Sequence, residues 1–285
     1  EDGRHWDPLM IYAMRVNPCE ALVHRLYVSY PESMMAKNSR GQTVFHVIPD
    51  CFNAHSIDKF LSIENLTLIN SADENERLPI HHCAELISNH EIETLLDLFK
   101  HFIERTNNVY ACDRHLNNVV RLLIRGLKPP EESVITKQTM DALRALIRIK
   151  PEQAGRFIEL ARIMTKNEFQ SRCVSHLIPL VSAEYVNIEN LVADFSEGEC
   201  FHIVFYIIKL CIAVAKGSSS VTLEEWRIVE PGLDWANVIF LRLDQIANTE
   251  LINPDDEEAL NRQNATRNFI TFAAKHIYKE INACP

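Results

Sequence analysis

The chain has 285 residues, is 47% hydrophobic and carries a net charge of −10. That apolar fraction supports a buried core and excludes disorder as the dominant state, while only 7 glycines leave little for hairpins or phosphate-cradling loops, against a β-rich or nucleotide-binding α/β protein. Residues 1–127 hold 12 basic and 17 acidic side chains and the remainder 17 and 22, so neither half has the positive balance that nucleic acid or an anionic membrane selects.

The first predicted element opens at Asp7-Pro8-Leu9-Met10, with Pro8 in the first turn of a helix and Leu9, Ala13 and Val16 on one face. A second helix follows from Pro18, with Ala21, Leu22, Leu26 and Tyr27 at core spacing, and Tyr30-Pro31-Glu32 closes the unit. Asn38-Ser39-Arg40-Gly41-Gln42-Thr43 reads as a β-turn, followed by a helix from Val44 to Cys51 and a further helical face of Ile57, Phe60 and Leu61. Asp73-Glu74-Asn75-Glu76-Arg77 opens a third unit, with helices from Pro79 to Leu86 and from Glu91 to Ile103; the second has Ile92, Leu95, Leu96, Phe99 and Phe102 as its stripe. The tetrapeptides starting at positions 7, 43 and 78 recur at steps of 36 and 35 residues, a period that marks a repeat architecture.

These residues resemble ankyrin repeats over roughly residues 3–105. The family pattern is a turn with Gly, a Thr-Pro-Leu-His tetrapeptide, a short helix and a second helix ending in Leu-Leu. The third unit follows it with Leu78-Pro79-Ile80-His81 and Leu95-Leu96, the second keeps Gly41, Thr43 and His46, and the first keeps Pro8-Leu9 with Met10 in place of His. The resemblance implies that the Thr hydroxyl and His ring tie turn to helix. Leu78 lacks that hydroxyl, and Glu76 stands where the turn has Gly. It also implies a concave face of turns and first helices that binds another protein. The contact residues would then be Trp6, Arg40, Gln42, Asp73, Asn75, Glu76 and Arg77.

A fourth unit is expected from Asp113, with Leu116, Val119, Val120, Leu122 and Leu123 as an amphipathic capping helix that no tetrapeptide precedes. Lys128-Pro129-Pro130 then breaks the pattern and divides the chain into an ankyrin-like domain over 1–127 and an α-helical domain over 128–285. Beyond it, the helical faces are Met140, Leu143, Leu146 and Ile147; Phe157, Leu160, Ala161 and Met164 after Pro151; and Phe169, Cys173, Leu177 and Ile178. Glu199 to Lys216 reads as a central helix, and its most apolar stretch is too short to span a bilayer. Lys216-Gly217-Ser218-Ser219-Ser220 reads as a loop, Thr222 with Glu225 as a capping box, and Asn253-Pro254-Asp255-Asp256 as the start of the last helix, with Phe269, Ala273, Ile277 and Ile281 inward. The expected fold class is all-α: a short ankyrin-like stack continuing into an α-helical bundle or irregular helical repeat.

The chemistry-bearing residues have competing readings. His81-His82-Cys83 with Cys112 and His115 suggests zinc, but adjacent helical side chains diverge by about 100°, and zinc needs converging ligands, so no metal or cofactor is expected. Asp113-Arg114-His115-Leu116-Asn117-Asn118 superficially matches a kinase catalytic loop in the wrong order, with no Gly-rich loop to accompany it. Trp6, Trp226 and Trp235 are either interface anchors or core. Eight Cys without a CxxC pair point to a reduced intracellular protein, in cytoplasm or nucleus. The chain opens without Met and is expected to be a fragment. The functional expectation is a non-enzymatic scaffold or adaptor. A regulatory or assembly domain of a larger signalling or channel protein is one alternative. The other is an enzyme using Glu199, His202 or His176 as acid–base groups.

Overall fold

A computed structural model describes residues 20–51, 66–91, 94–215, 223–249 and 257–282. Among them every regular element is a helix, so the fold class is all-α, and no helix is long and apolar enough to cross a membrane. The helices around Pro8 and Ile57, the loop at 216–220, Thr222 and Asn253 to Asp256 lie outside the described residues. Contacts separate two units: Glu1–Lys150 with Glu159–Thr165, and Pro151–Ile158 with Lys166–Pro285.

The first unit contains α1 (Glu20–Ser29), α2 (Val44–Val47), α3 (Leu66–Ile69), α4 (Pro79–Asn89), α5 (Thr94–Arg105), α6 (Val119–Ile124) and α7 (Val134–Ile149). Helix α4 is its hub and packs against α2, α5, α6 and α7. The apolar spacing explains this. Ile80, Cys83, Ala84 and Ile87 share one face of α4 and are wholly buried, as are Phe99, Phe102 and Ile103 of α5 and Val119, Val120 and Leu123 of α6. Leu96, expected in the α5 stripe, is only half-buried.

Helix α7 belongs to this unit, so the contacts divide near Lys150 and not at Pro129-Pro130. The tandem proline ends one helix without ending the unit, because the next returns to the same core. Ser133 caps α7 by accepting from the Thr136 N–H at 3.1 Å, and the Thr136 hydroxyl donates to the Lys128 carbonyl at 2.7 Å, closing the proline segment back on itself. Gln138 then donates from Nε2 to the His90 carbonyl at 3.2 Å, covering the C-terminal end of α4.

Helix α8 (Ala154–Met164) contains the division between the units. The second unit continues through α9 (Glu168–Ser175), α10 (Ile188–Val192), α11 (Glu197–Ala215), α12 (Leu223–Thr249) and α13 (Glu257–Asn282). Helices α11, α12 and α13 pack pairwise, and α9 lies against α11. The third expected helix stops at Ser175, and Pro179 falls in a separate 3₁₀ turn, Ile178–Leu180. Trp235 is fully buried; its indole N–H donates to the Val181 carbonyl at 2.8 Å, and Phe195 stacks at 6.4 Å between ring centres. Trp235 is therefore core, which settles one of the three tryptophans.

Candidate functional site

Three turns of the first unit share one construction. They occupy residues 38–43, 73–78 and 113–118, steps of 35 and 40. Each begins with a buried Asn or Asp whose Oδ1 accepts two backbone N–H groups of its own turn: Asn38 from Arg40 and Gln42, Asp73 from Asn75 and Arg77, and Asp113 from His115 and Asn117, all at 2.7–3.0 Å. The fourth position of each is left-handed, with φ of 70° at Gly41, 61° at Glu76 and 59° at Leu116. Neighbouring turns are joined by one backbone hydrogen bond each, from Glu74 N to Arg40 O at 3.0 Å and from Arg114 N to Asn75 O at 2.8 Å. Asn75, Glu76, Arg40 and their third-turn counterparts thus stand in a row at fixed spacing.

Beneath the turns, His46 and His81 are fully buried. Each Nδ1 accepts the N–H that precedes its helix, from Thr43 and Leu78 at 3.1 Å, which leaves Nε2 as the protonated nitrogen. That nitrogen donates onward, from His46 to the Arg77 carbonyl at 3.0 Å and from His81 to the Ala111 carbonyl at 2.9 Å. The Thr43 hydroxyl adds a bond to the His46 ring at 3.0 Å that Leu78 does not provide for His81. Burial, with His82 nearby, pushes His46 down to about 4, and burial also lowers His81. Burial alone would raise the Asp73 carboxyl, but the hydrogen bonds from His82 and from the Arg77 and Asn75 N–H groups outweigh it and hold it at about 2. The Asp113 carboxyl is lowered in the same way by Asn117 and His115.

The seven residues expected to contact a partner fall into three groups. Arg40, Asn75 and Glu76 are exposed on the turn row. Asp73, Gln42 and Arg77 are built into the turns instead. Asp73 is 7% exposed and holds its own backbone. Gln42 Oε1 accepts from the Asn38 amide at 2.9 Å. Arg77 pairs with Glu85 at 2.6 Å and lies 3.9 Å from Asp113. These three were expected at turn tips, but Asp73 at the first position binds its own backbone, and Gln42 and Arg77 at the fifth position are half-buried and bond to the Asn38 and Glu85 side chains. Trp6 lies outside the described residues.

Arg114, His115 and Leu116, all exposed, complete the row and were missed. Asp113 and Leu116 belong to the turn and not to a capping helix, which starts at Val119 behind Asn118; the Asn118 Oδ1 accepts from the Arg121 N–H at 2.9 Å. The signal was present as a third Asx residue, masked by a 40-residue step and by Arg121 standing where the other units have His.

Elsewhere, among the described residues, no three His, Cys, Asp or Glu side chains converge on a metal position. Glu199 accepts from the Ser196 N–H and hydroxyl at 2.9 and 2.8 Å, a helix cap, and His176 stacks on Tyr206 at 4.8 Å. His202 is half-buried. None of the three lines the open groove between α12 and α13, which is bordered by Phe240, Leu241, Asp244, Arg267 and Ile270. No protein-family model, curated protein or solved structure matches the chain.

Proposed function

We propose that the chain is a non-enzymatic protein-interaction module of ankyrin-like build, which presents its turn row to a protein partner and so serves as a scaffold or adaptor. One observation carries the reading: three turns are held in register by buried Asx residues, imidazoles and inter-turn hydrogen bonds, while the side chains between those anchors are left in solvent. Such a surface is preorganised, and binding to it orders little further backbone. The free Cys83, Cys173, Cys200 and Cys211, all buried, fit a reducing intracellular setting. Membership in a larger signalling assembly is compatible with the same surface.

Cross-linking of the full chain to partners from its native lysate, with mass-spectrometric mapping, tests the proposal. Cross-links should centre on the three turns, and replacing Arg40, Asn75 and Glu76 together by Ser should remove them without altering the far-ultraviolet circular dichroism. Cross-links confined to α11–α13, or turnover of a small molecule by a clean preparation with no protein captured, would defeat the proposal.

A further inference from the structure

The third turn carries a combination absent from the other two. Its left-handed position holds Leu116, at φ 59° and 70% exposed. The equivalent position is Gly41 in the first turn, where the conformation is unstrained, and Glu76 in the second, where the side chain is at least polar. A branched apolar residue in this conformation opposes folding through the backbone and gains nothing by burial.

Three guanidinium groups belong to the same turn and to the helix that follows it. Arg114 is exposed on the turn itself. Arg121 donates from Nη1 to the Leu116 carbonyl at 3.3 Å. Arg125 donates from Nη2 to the Asn117 Oδ1 at 2.9 Å. None of the three forms an ion pair among the described residues. The nearest acid in sequence, Asp113, is 4% exposed, and its oxygens are already occupied by the His115 and Asn117 N–H groups and the Asn117 amide. Glu74 and Glu76 lie on the neighbouring turn and mark the edge of the basic patch. An unpaired cationic cluster is notable in a chain whose net charge is −10.

Resting on the interaction-module reading, we infer that the third turn and α6 bind an acidic peptide segment bearing an apolar side chain. Carboxylates of the partner meet Arg114, Arg121 and Arg125, whose planar forks suit bidentate pairing, and the apolar side chain covers Leu116. Nucleic acid is disfavoured: the flanking Glu74 and Glu76 repel a phosphate backbone, and Leu116 offers no aromatic face for a base.

The test is fluorescence anisotropy of the full chain with a fluorescein-labelled peptide of repeating Glu-Glu-Leu, beside an all-Glu peptide and a labelled oligodeoxythymidine. The Glu-Glu-Leu peptide should bind most tightly and weaken as salt rises. Arg114→Glu and Arg125→Glu, at exposed positions, should each weaken it about tenfold. Leu116→Gly is the discriminating variant: it should raise the urea midpoint, because glycine accepts the left-handed φ, yet weaken peptide binding severalfold. A residue kept only for the fold would not separate stability from binding in this way. Absence of peptide binding, tighter binding of the oligonucleotide, or unchanged affinity in folded Arg114→Glu and Leu116→Gly proteins would each overturn the inference. Cross-links mapping to the first two turns in that event would leave the interaction-module reading standing.

Discussion

Replacing Gly126 by Ala tests the packing of the first unit directly. Gly126 follows α6, and a Cβ built there lies 2.6 Å from the Thr139 Oγ1, 2.8 Å from the Ser88 Cα and 2.9 Å from the Ser88 Cβ. Thr139 is wholly buried on α7 and Ser88 is 2% exposed on α4, so the added methyl is driven into two helices at once. Thr139 can turn its hydroxyl aside at a cost of about 1 kcal/mol. The Ser88 Cα is backbone, and relieving that contact requires α4 and α6 to separate across a buried interface. Overpacking of this kind costs roughly 3 kcal/mol, the upper part of its usual range. At a slope of about 2 kcal/mol per molar urea, the midpoint falls by about 1.5 M. Circular dichroism at 222 nm follows the transition, and hydrogen exchange shows which unit is affected: protection should fall in Pro79–Asn89 and Val119–Ile124. Gly198→Ala in α11 is the matched control, because nothing lies within 4 Å of its Cβ. It should stabilise by up to about 1 kcal/mol. A Gly126→Ala midpoint within about 0.3 M of the parent, or lost protection only in α13, would refute the close three-helix contact; the first figure corresponds to roughly 0.6 kcal/mol.

Two further outcomes follow from the turns. His46 has a folded-state value of about 4 against an ordinary 6.5, so between these the unfolded chain takes up a proton that the folded ring refuses. Its contribution is complete above 6.5 and is lost as pH falls from 6.5 to 4, at most about 3 kcal/mol, and His46→Gln should flatten urea midpoints measured across that window. Asp73→Ala strands the Asn75 and Arg77 N–H groups and should cost about 2–4 kcal/mol, whereas Asn75→Ala stays within about 0.5. If thermal melts showed Asp73→Ala as stable as the parent while a partner was lost, Asp73 would be a contact residue after all.

The helical stripes were legible because burial follows the 3.6-residue period, as Met140, Leu143, Leu146 and Ile147 show on α7. Two of the three turns were legible through Gly41, Thr43, His46 and His81, residues with strong local constraints. The third was not, because Leu116 violates the glycine preference that marks such a position and Arg121 replaces the imidazole. The boundary near Lys150 was also hidden: proline reports where a helix must stop, but not which core the next helix joins. Side chains inside a turn cannot be sorted into inward and outward by composition. Asp73 and Asn75 are equally polar, and only the direction of the backbone N–H groups separates them.

The imidazole bridges run one way along the chain. Each ring is anchored in its own unit and hands its single proton to a carbonyl of the next, from His46 to Arg77 and from His81 to Ala111. At the third turn the series stops, since Arg121 stands in place of the imidazole and turns its guanidinium back to the Leu116 carbonyl of its own turn, and α7 already packs against α6. The array is therefore polar in the sense that a filament is polar: each unit bonds forward to the next, and its downstream side is covered by α7. A unit grafted after the third turn would therefore meet a face that α7 already occupies.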